Sequence, residues 1–429
     1  MQHFEIIIIG AGAAGLLAAY DLMEKHSSLA ILEARERTGG RAHTAHIEGF
    51  SSPIETGAEF VHGKLPLTLS LLKKSGLVYH AIEGKQYAIE KNEKKKENEF
   101  DAHWSELMQK LKSLETDLPI ASFLDLYFPG ERYKMLRESV CRFVMGFDAA
   151  DPADASSKSL LKEWTNDDEE NQFRIDKGYS SLLDWMANYV VQQGAKLYLS
   201  HPVNTIDHSG ENIILNCEDG TNFSCKKLLV TVPLGVWQSS SSLPHLLFTP
   251  ELPEKQNAAN QMGWGNVIKV MVEFTGFFWE NNGKRSMPGA GFIFSDAEIP
   301  TWWTQNPSTL PQLFGWLAGP PAGKMNLADE EEIKSKCYHA LSYIFQLEQK
   351  ELAEKIKAIH IVNWGKDPYA LGGYSYETVE SATAKEIMIA PVNDRLFFAG
   401  EALYKGSHNG TVEAAFASGR NAAKMMMKS

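Results

Sequence analysis

Cysteine is scarce in this chain. Cys141, Cys217, Cys225 and Cys337 are the only four in 429 residues, with no C-x-x-C pair and no zinc-finger spacing. That argues against a disulfide framework or a structural metal site, and it fits a reducing, cytoplasmic location. Long apolar runs are missing too: nothing approaches the roughly 20 residues of a membrane span. Only Met1, Gln2 and His3 precede the first apolar run, and the chain ends Met425-Met426-Met427-Lys428-Ser429, so neither leader nor anchor is expected. Positive charge is in the minority, with 42 basic against 54 acidic residues and a net charge of -12. This balance disfavours nucleic acid and anionic membranes as partners and suits a cationic small substrate better. G-x-S-x-G, H-E-x-x-H and Walker motifs are absent, which removes the hydrolase and nucleotide-hydrolysing readings.

What is present begins at once. Residues 4–9 form a continuously apolar, β-branched run that reads as a strand buried on both faces. It breaks at Gly10-Ala11-Gly12-Ala13-Ala14-Gly15, a helical pattern follows to His26, and residues 29–32 give a second strand ending at Glu33. With 33 glycines in the chain, a bare G-x-G-x-x-G arises by chance about once in five such chains, so its context decides. Strand, glycine turn, helix and an acidic residue after the next strand are the context of a dinucleotide site. Gly10 permits the tight turn, Gly12 lets backbone approach a pyrophosphate, and Gly15 lets helix and strand pack closely. Glu33 is suited to a ribose hydroxyl and would repel a 2'-phosphate. After it comes Arg35, then Gly39-Gly40-Arg41 where a plain NAD domain continues into helix; glycines and a guanidinium here suit the phosphate and flavin side of an extended cofactor.

Residues 81–200 read as mostly helical. Asp101 is placed to cap a helix carrying Trp104, Leu107, Met108 and Leu111 as core, and residues 90–99 are a charge run on a solvated loop or helix face. Asp167-Asp168-Glu169-Glu170 is either a hydrated loop or an acidic rim that attracts a cation. Strands are expected at 197–199, 212–216, 228–232, 266–273, 291–294 and 312–317, with Trp279, Trp302 and Trp303 in loops and a helix over 328–345. Val203 fits either a backbone contact to an adenine edge or plain core. The tail repeats the opening logic. Residues 395–399 form a strand ending at Gly400-Glu401, and a small-residue helix starts within 410–419. Two nucleotide-like half-sites at opposite ends of the chain imply one long cofactor held by a discontinuous domain.

Taken together, residues 10–15, 33–41, 57–63, 231–236, 266–269, 364–374 and 399–419 resemble the flavin-containing amine oxidases, the family of monoamine oxidases, polyamine oxidases and lysine-specific histone demethylases. The resemblance implies an α/β chain with a discontinuous, Rossmann-like FAD-binding domain over 1–80, 181–243 and 361–429. A mixed-sheet substrate domain with a helical insertion would occupy 81–180 and 244–360. It implies FAD contacts from Gly10, Gly12, Ala13, Ala14, Gly15, Glu33, Ala34, Arg35, Gly40 and Arg41. Further FAD contacts would come from Gly57, Ala58, Glu59, Val203, Trp364, Gly400, Glu401, Thr411 and Val412. Lys269 matches the family lysine that holds a water near the flavin, Tyr374 an active-site aromatic, and His62 the histidine of animal polyamine oxidases. Where covalent monoamine oxidases have a cysteine before that tyrosine, this chain has Gly373, so noncovalent FAD is expected. Thr411 stands where those enzymes have a second tyrosine, leaving the aromatic cage incomplete. The implied reaction is oxidation of an amine C-N bond with dioxygen as acceptor and hydrogen peroxide as product. The alternatives are a dehydrogenase with another acceptor, a related flavoprotein acting on amino acids, and a flavin-holding module without activity.

Overall fold

The computed structural model describes residues 1–25, 28–95, 103–166, 172–239 and 246–428. Its core is an eight-stranded mixed sheet in the order 196–198, 29–32, 2–9, 222–230, 213–217, 203–207, 247–249, with 396–398 also pairing with 222–230. Gln2–Ile9 lies parallel to both Leu29–Leu32 and Asn222–Val230, and its residues 6–9 are buried. This is the placement that a β-branched run without alternation calls for. The α/β class is therefore as expected.

Ala13–Leu22 is apolar except at Tyr20 and Asp21, and its other eight residues are buried. Its neighbours are the helices Gly178–Gln192 and Val412–Met426. Burial of each leucine on it, Leu16, Leu17 and Leu22, stabilises the fold by about 1.5–3 kcal/mol. The first and last helices meet closely because Gly419 has no side chain: a Cβ there would sit 2.1 Å from the Ala14 carbonyl oxygen.

A second, seven-stranded sheet runs 356–363, 267–274, 312–318, 301–304, 290–295, 85–90, 93–95. Helix Glu330–Phe345 packs on it, begun by Asp329, whose side chain accepts from the Glu332 N–H. Four helices, Trp104–Lys112, Ile120–Tyr127, Lys134–Phe147 and Ser157–Trp164, form a separate cluster around Leu107, Leu111, Phe123 and Val140. Small pairings tie the parts together: Phe60–His62 and Tyr79–Ala81 both pair with Gln172–Ile175, and Gly263–Gly265 pairs with Tyr374–Tyr376.

The charge run at 90–99 holds a β-hairpin as far as it is described, Lys85–Glu90 against Glu93–Lys95. Lys91 and Asn92 both have left-handed φ, 50° and 61°, the geometry of a two-residue hairpin turn. The alternation that buries Ile89 was hidden by the surrounding charge. Val203 opens an unexpected strand, Val203–Asp207. Trp302 and Trp303 lie in the strand Thr301–Thr304, and Trp279 in a short 3-10 turn. The first helix ends at Leu22. Asp101 and the 167–170 carboxylates lie outside the described residues. No helix among the described residues is long and apolar enough to cross a membrane.

Candidate active site

Between the two sheets and the helical cluster lies a cavity of about 830 Å³, near the upper end for small-molecule sites. All of the residues expected to contact FAD or to act in catalysis, except Gly15, line it.

One end is built by the opening turn. Gly10 has φ +103°, and its N–H donates to the Leu32 carbonyl at 2.8 Å. A Cβ on Gly15 would lie 2.0 Å from the Gly10 carbonyl oxygen, whereas one on Gly12 would meet nothing within 4 Å. So Gly15 is needed for packing, and Gly12 leaves open space in the cavity wall. The N-terminus of Ala13–Leu22 has no side-chain cap and no acidic residue in its first turn, so its N–H groups can serve an anion. Glu33 is buried; its carboxylate accepts from Ala11 N at 2.7 Å and Arg35 N at 2.9 Å. Arg35 pairs with Asp367, and its guanidinium lies 5.3 Å over the Tyr369 ring. Arg37, which the sequence did not single out, donates to the carbonyls of Thr38 and Gly40; burial, then the nearby Arg35 charge, pulls it down to about 10.

Arg41 joins the two ends of the chain. It donates to Gly373 O at 2.7 Å and Glu401 Oε2 at 3.0 Å, with Trp264 under its guanidinium at 4.7 Å. The other Glu401 oxygen accepts from Ser375 N and Oγ. Arg41 and Glu401 are thus a tie between the glycine loop and the tail. These residues fit a dinucleotide: an uncapped helix end, open space at Gly12 and a buried carboxylate stand together on one wall.

At the other end Lys269, on Val267–Phe274, is fully buried. Its ammonium donates to Glu59 Oε2 at 2.7 Å and Gly57 O at 3.2 Å. The second Glu59 oxygen accepts from Arg174, Trp303 and Gln305. Arg174, Trp303 and Gln305 carried no motif, and no local signal pointed to them. Tyr374 donates its hydroxyl to Phe147 O, and its ring lies nearly parallel to Trp316, centroids 6.3 Å apart at 20°. Trp316 is therefore an aromatic wall that the motifs did not reveal. Burial, then the charges of Asp148, Glu163 and Glu401, push the Tyr374 phenol well up, so it stays protonated. Burial, then His408, pulls His62 down to about 4, and the ring is neutral near pH 7.

Thr411, on the cavity wall, also caps a helix. Its hydroxyl accepts from Ala414 N at 3.1 Å and donates to His408 O at 2.6 Å, capping Val412–Met426. A threonine before a helical run is itself a capping signal. Thr411→Val should cost about 1 kcal/mol of stability and Thr411→Ser almost nothing, checked by denaturant titration of both variants.

A family model described as flavin containing amine oxidoreductase matches residues 13–427. Lysine-specific histone demethylase 1 homolog 2 of Oryza sativa subsp. japonica is 27% identical over 98% of this chain, and the match covers 57% of that protein. Polyamine oxidase 4 of the same organism is 28% identical over 97% of this chain and 87% of its own length. The chain thus spans little more than half of that demethylase. Among solved structures, wild-type putrescine oxidase bound to putrescine aligns at TM-score 0.80 and 19% identity, covering 100% of this chain and 99% of that one.

Proposed function

Since the chain belongs to the flavin-containing amine oxidoreductase family, we propose that it is an FAD-dependent amine oxidase acting on a small cationic amine. One observation carries the reading: a single cavity joins the glycine turn and Glu33 to the buried Lys269 and the Tyr374–Trp316 pair. When bound, FAD supplies the two-electron acceptor for the amine C–H bond and hands the electrons to dioxygen, giving hydrogen peroxide.

The rest of the work falls to the chain. We assign the pyrophosphate to the uncapped start of Ala13–Leu22, and a ribose hydroxyl to Glu33. Tyr374 and Trp316 would form an aromatic wall that orients the amine and attracts it while it is cationic. Asp148 and Glu163 on the cavity wall favour a positive substrate. Lys269 would hold a proton at Nζ for the oxygen chemistry, and the neutral His62 offers a hydrogen bond without charge. The polyamine and putrescine oxidase relatives support di- and polyamines as donors.

We retain the division into a cofactor part (1–80, 181–243, 361–429) and a substrate part (81–180, 244–360). The cytoplasmic location stays within the proposal, supported by the sparse, free cysteines. Noncovalent FAD is supported at Gly373, which has no thiol and where a Cβ would lie 2.5 Å from Val267 Cγ2. Acid-precipitated protein should release its yellow colour to the supernatant; colour held in the pellet would contradict this.

The test of function is peroxide formation in air with putrescine, spermidine, spermine and an aromatic monoamine. Peroxide in step with amine loss is expected. Amine loss that requires an added quinone and yields no peroxide would favour a dehydrogenase.

A further inference from the structure

Glu59 stands in the segment that the resemblance assigns to cofactor contact, yet both of its oxygens are engaged by protein. Oε2 accepts from Lys269 Nζ at 2.7 Å, and Oε1 accepts from Arg174 Nε at 2.7 Å and from Trp303 Nε1 and Gln305 Nε2, each at 3.0 Å. Burial alone would raise this carboxyl, but the Lys269 and Arg174 cations, with hydrogen bonds from Lys269 and Gln305, outweigh it and hold the group down at about 2. Glu59 is therefore an anion shared by two buried cations.

The donors arrive from separate parts of the fold. Lys269 lies on a central strand of the second sheet, whereas Arg174 lies on Gln172–Ile175 and also donates to Asn306 O and Thr304 O. The carboxylate is thus held from two sides by elements that are themselves hydrogen-bonded in place. A lysine ammonium has three N–H donors. Glu59 takes one and the Gly57 carbonyl a second. Tetrahedral geometry then fixes the direction of the third, on a residue that lines the cavity.

We propose that Glu59 is a positioning residue for Lys269, fixing its ammonium so that the remaining N–H is presented to the reacting end of the cavity. Arg174, Trp303 and Gln305 keep the carboxylate from turning. The inference rests on the role for Lys269 proposed above. Glu59→Gln puts an amide among donors and leaves two cations without their shared anion, so Lys269 loses its anchor. Glu59→Asp keeps the charge but shortens the reach by one methylene.

The test compares E59Q, E59D, K269M and E59Q/K269M holoenzymes. Stopped flow follows the loss of flavin absorbance with amine under anaerobic conditions and its return when oxygen is admitted. Flavin fluorescence gives the FAD dissociation constant separately. E59Q should slow the step that K269M slows by about tenfold or more, while the double variant matches K269M within about twofold, because Glu59 acts only through the lysine. E59D should lie between E59Q and the parent, and the FAD dissociation constant should stay within about threefold of the parent for each variant. An E59Q that weakens FAD more than about tenfold without touching that step, or a double variant whose losses multiply, overturns the proposal. A slowed K269M beside an unaffected E59Q overturns the Glu59 role alone; an unaffected K269M overturns the lysine reading and the Glu59 role with it. If E59Q does not fold, E59D and E59D/K269M carry the same comparison.

Discussion

Replacing Gly15 with valine should give a colourless protein of sharply reduced stability. The reason is geometric. A Cβ at this position would lie 2.0 Å from the Gly10 carbonyl oxygen and 3.2 Å from Ile8 Cγ2. The first is backbone in the tight turn and the second a fully buried side chain, so neither has room to give. The helix must then move off the strand, which opens the turn that Ala11 N and Glu33 hold closed at 2.7 Å. Overpacking of this kind costs about 1–3 kcal/mol and more when backbone is displaced. Gly12→Ala is the informative partner, because its Cβ meets no protein atom within 4 Å. It should leave the thermal stability of the apoprotein unchanged while reducing flavin retention. The ratio of flavin to protein absorbance after purification, read beside a melting curve, separates the two. A Gly15→Val protein that is yellow and as stable as the parent would contradict this account of the turn.

Lys269→Met should keep FAD bound yet slow turnover by about 100-fold, the scale of losing one preorganised donor or proton carrier at a reacting centre. Methionine is close in length and apolar, and Glu59 keeps Arg174, Trp303 and Gln305 as donors. The carboxylate therefore does not become an unpaired buried charge, and the fold should tolerate the change. The loss should fall on the return of flavin absorbance in oxygen or on release of the oxidised product, with the anaerobic amine step little changed. Equal rates for parent and variant in both half-reactions would remove Lys269 from the mechanism.

The opening turn and the surroundings of Lys269 differ in how much of each is legible in the sequence. The opening turn is legible because all its parts are local: a β-branched strand, glycines at fixed spacing, a small-residue helix and Glu33 lie within 33 residues. Gly10 and Gly15 then perform the turn and packing roles that their places in the motif require, and Gly12 leaves open space. The surroundings of Lys269 are not local. Glu59 and Arg174 lie 115 positions apart, and Trp303 joins them from a third segment, so only the folded chain brings them together. Trp316 likewise meets Tyr374 through sheet pairing that no short motif encodes. The Lys85–Glu90 hairpin was masked because exposed strands carry the same charged residues as solvated loops. Thr411 was legible in another sense: its place before a helix announces a cap, although position within the family motif suggested the cofactor.

The most direct test of the central claim is an anaerobic titration of the purified yellow protein with amines. Putrescine, spermidine or spermine should bleach the flavin absorbance without any added reductant, and air should restore it. If none of these nor an aromatic monoamine bleaches a flavin that dithionite reduces readily, the chain is not an amine oxidase.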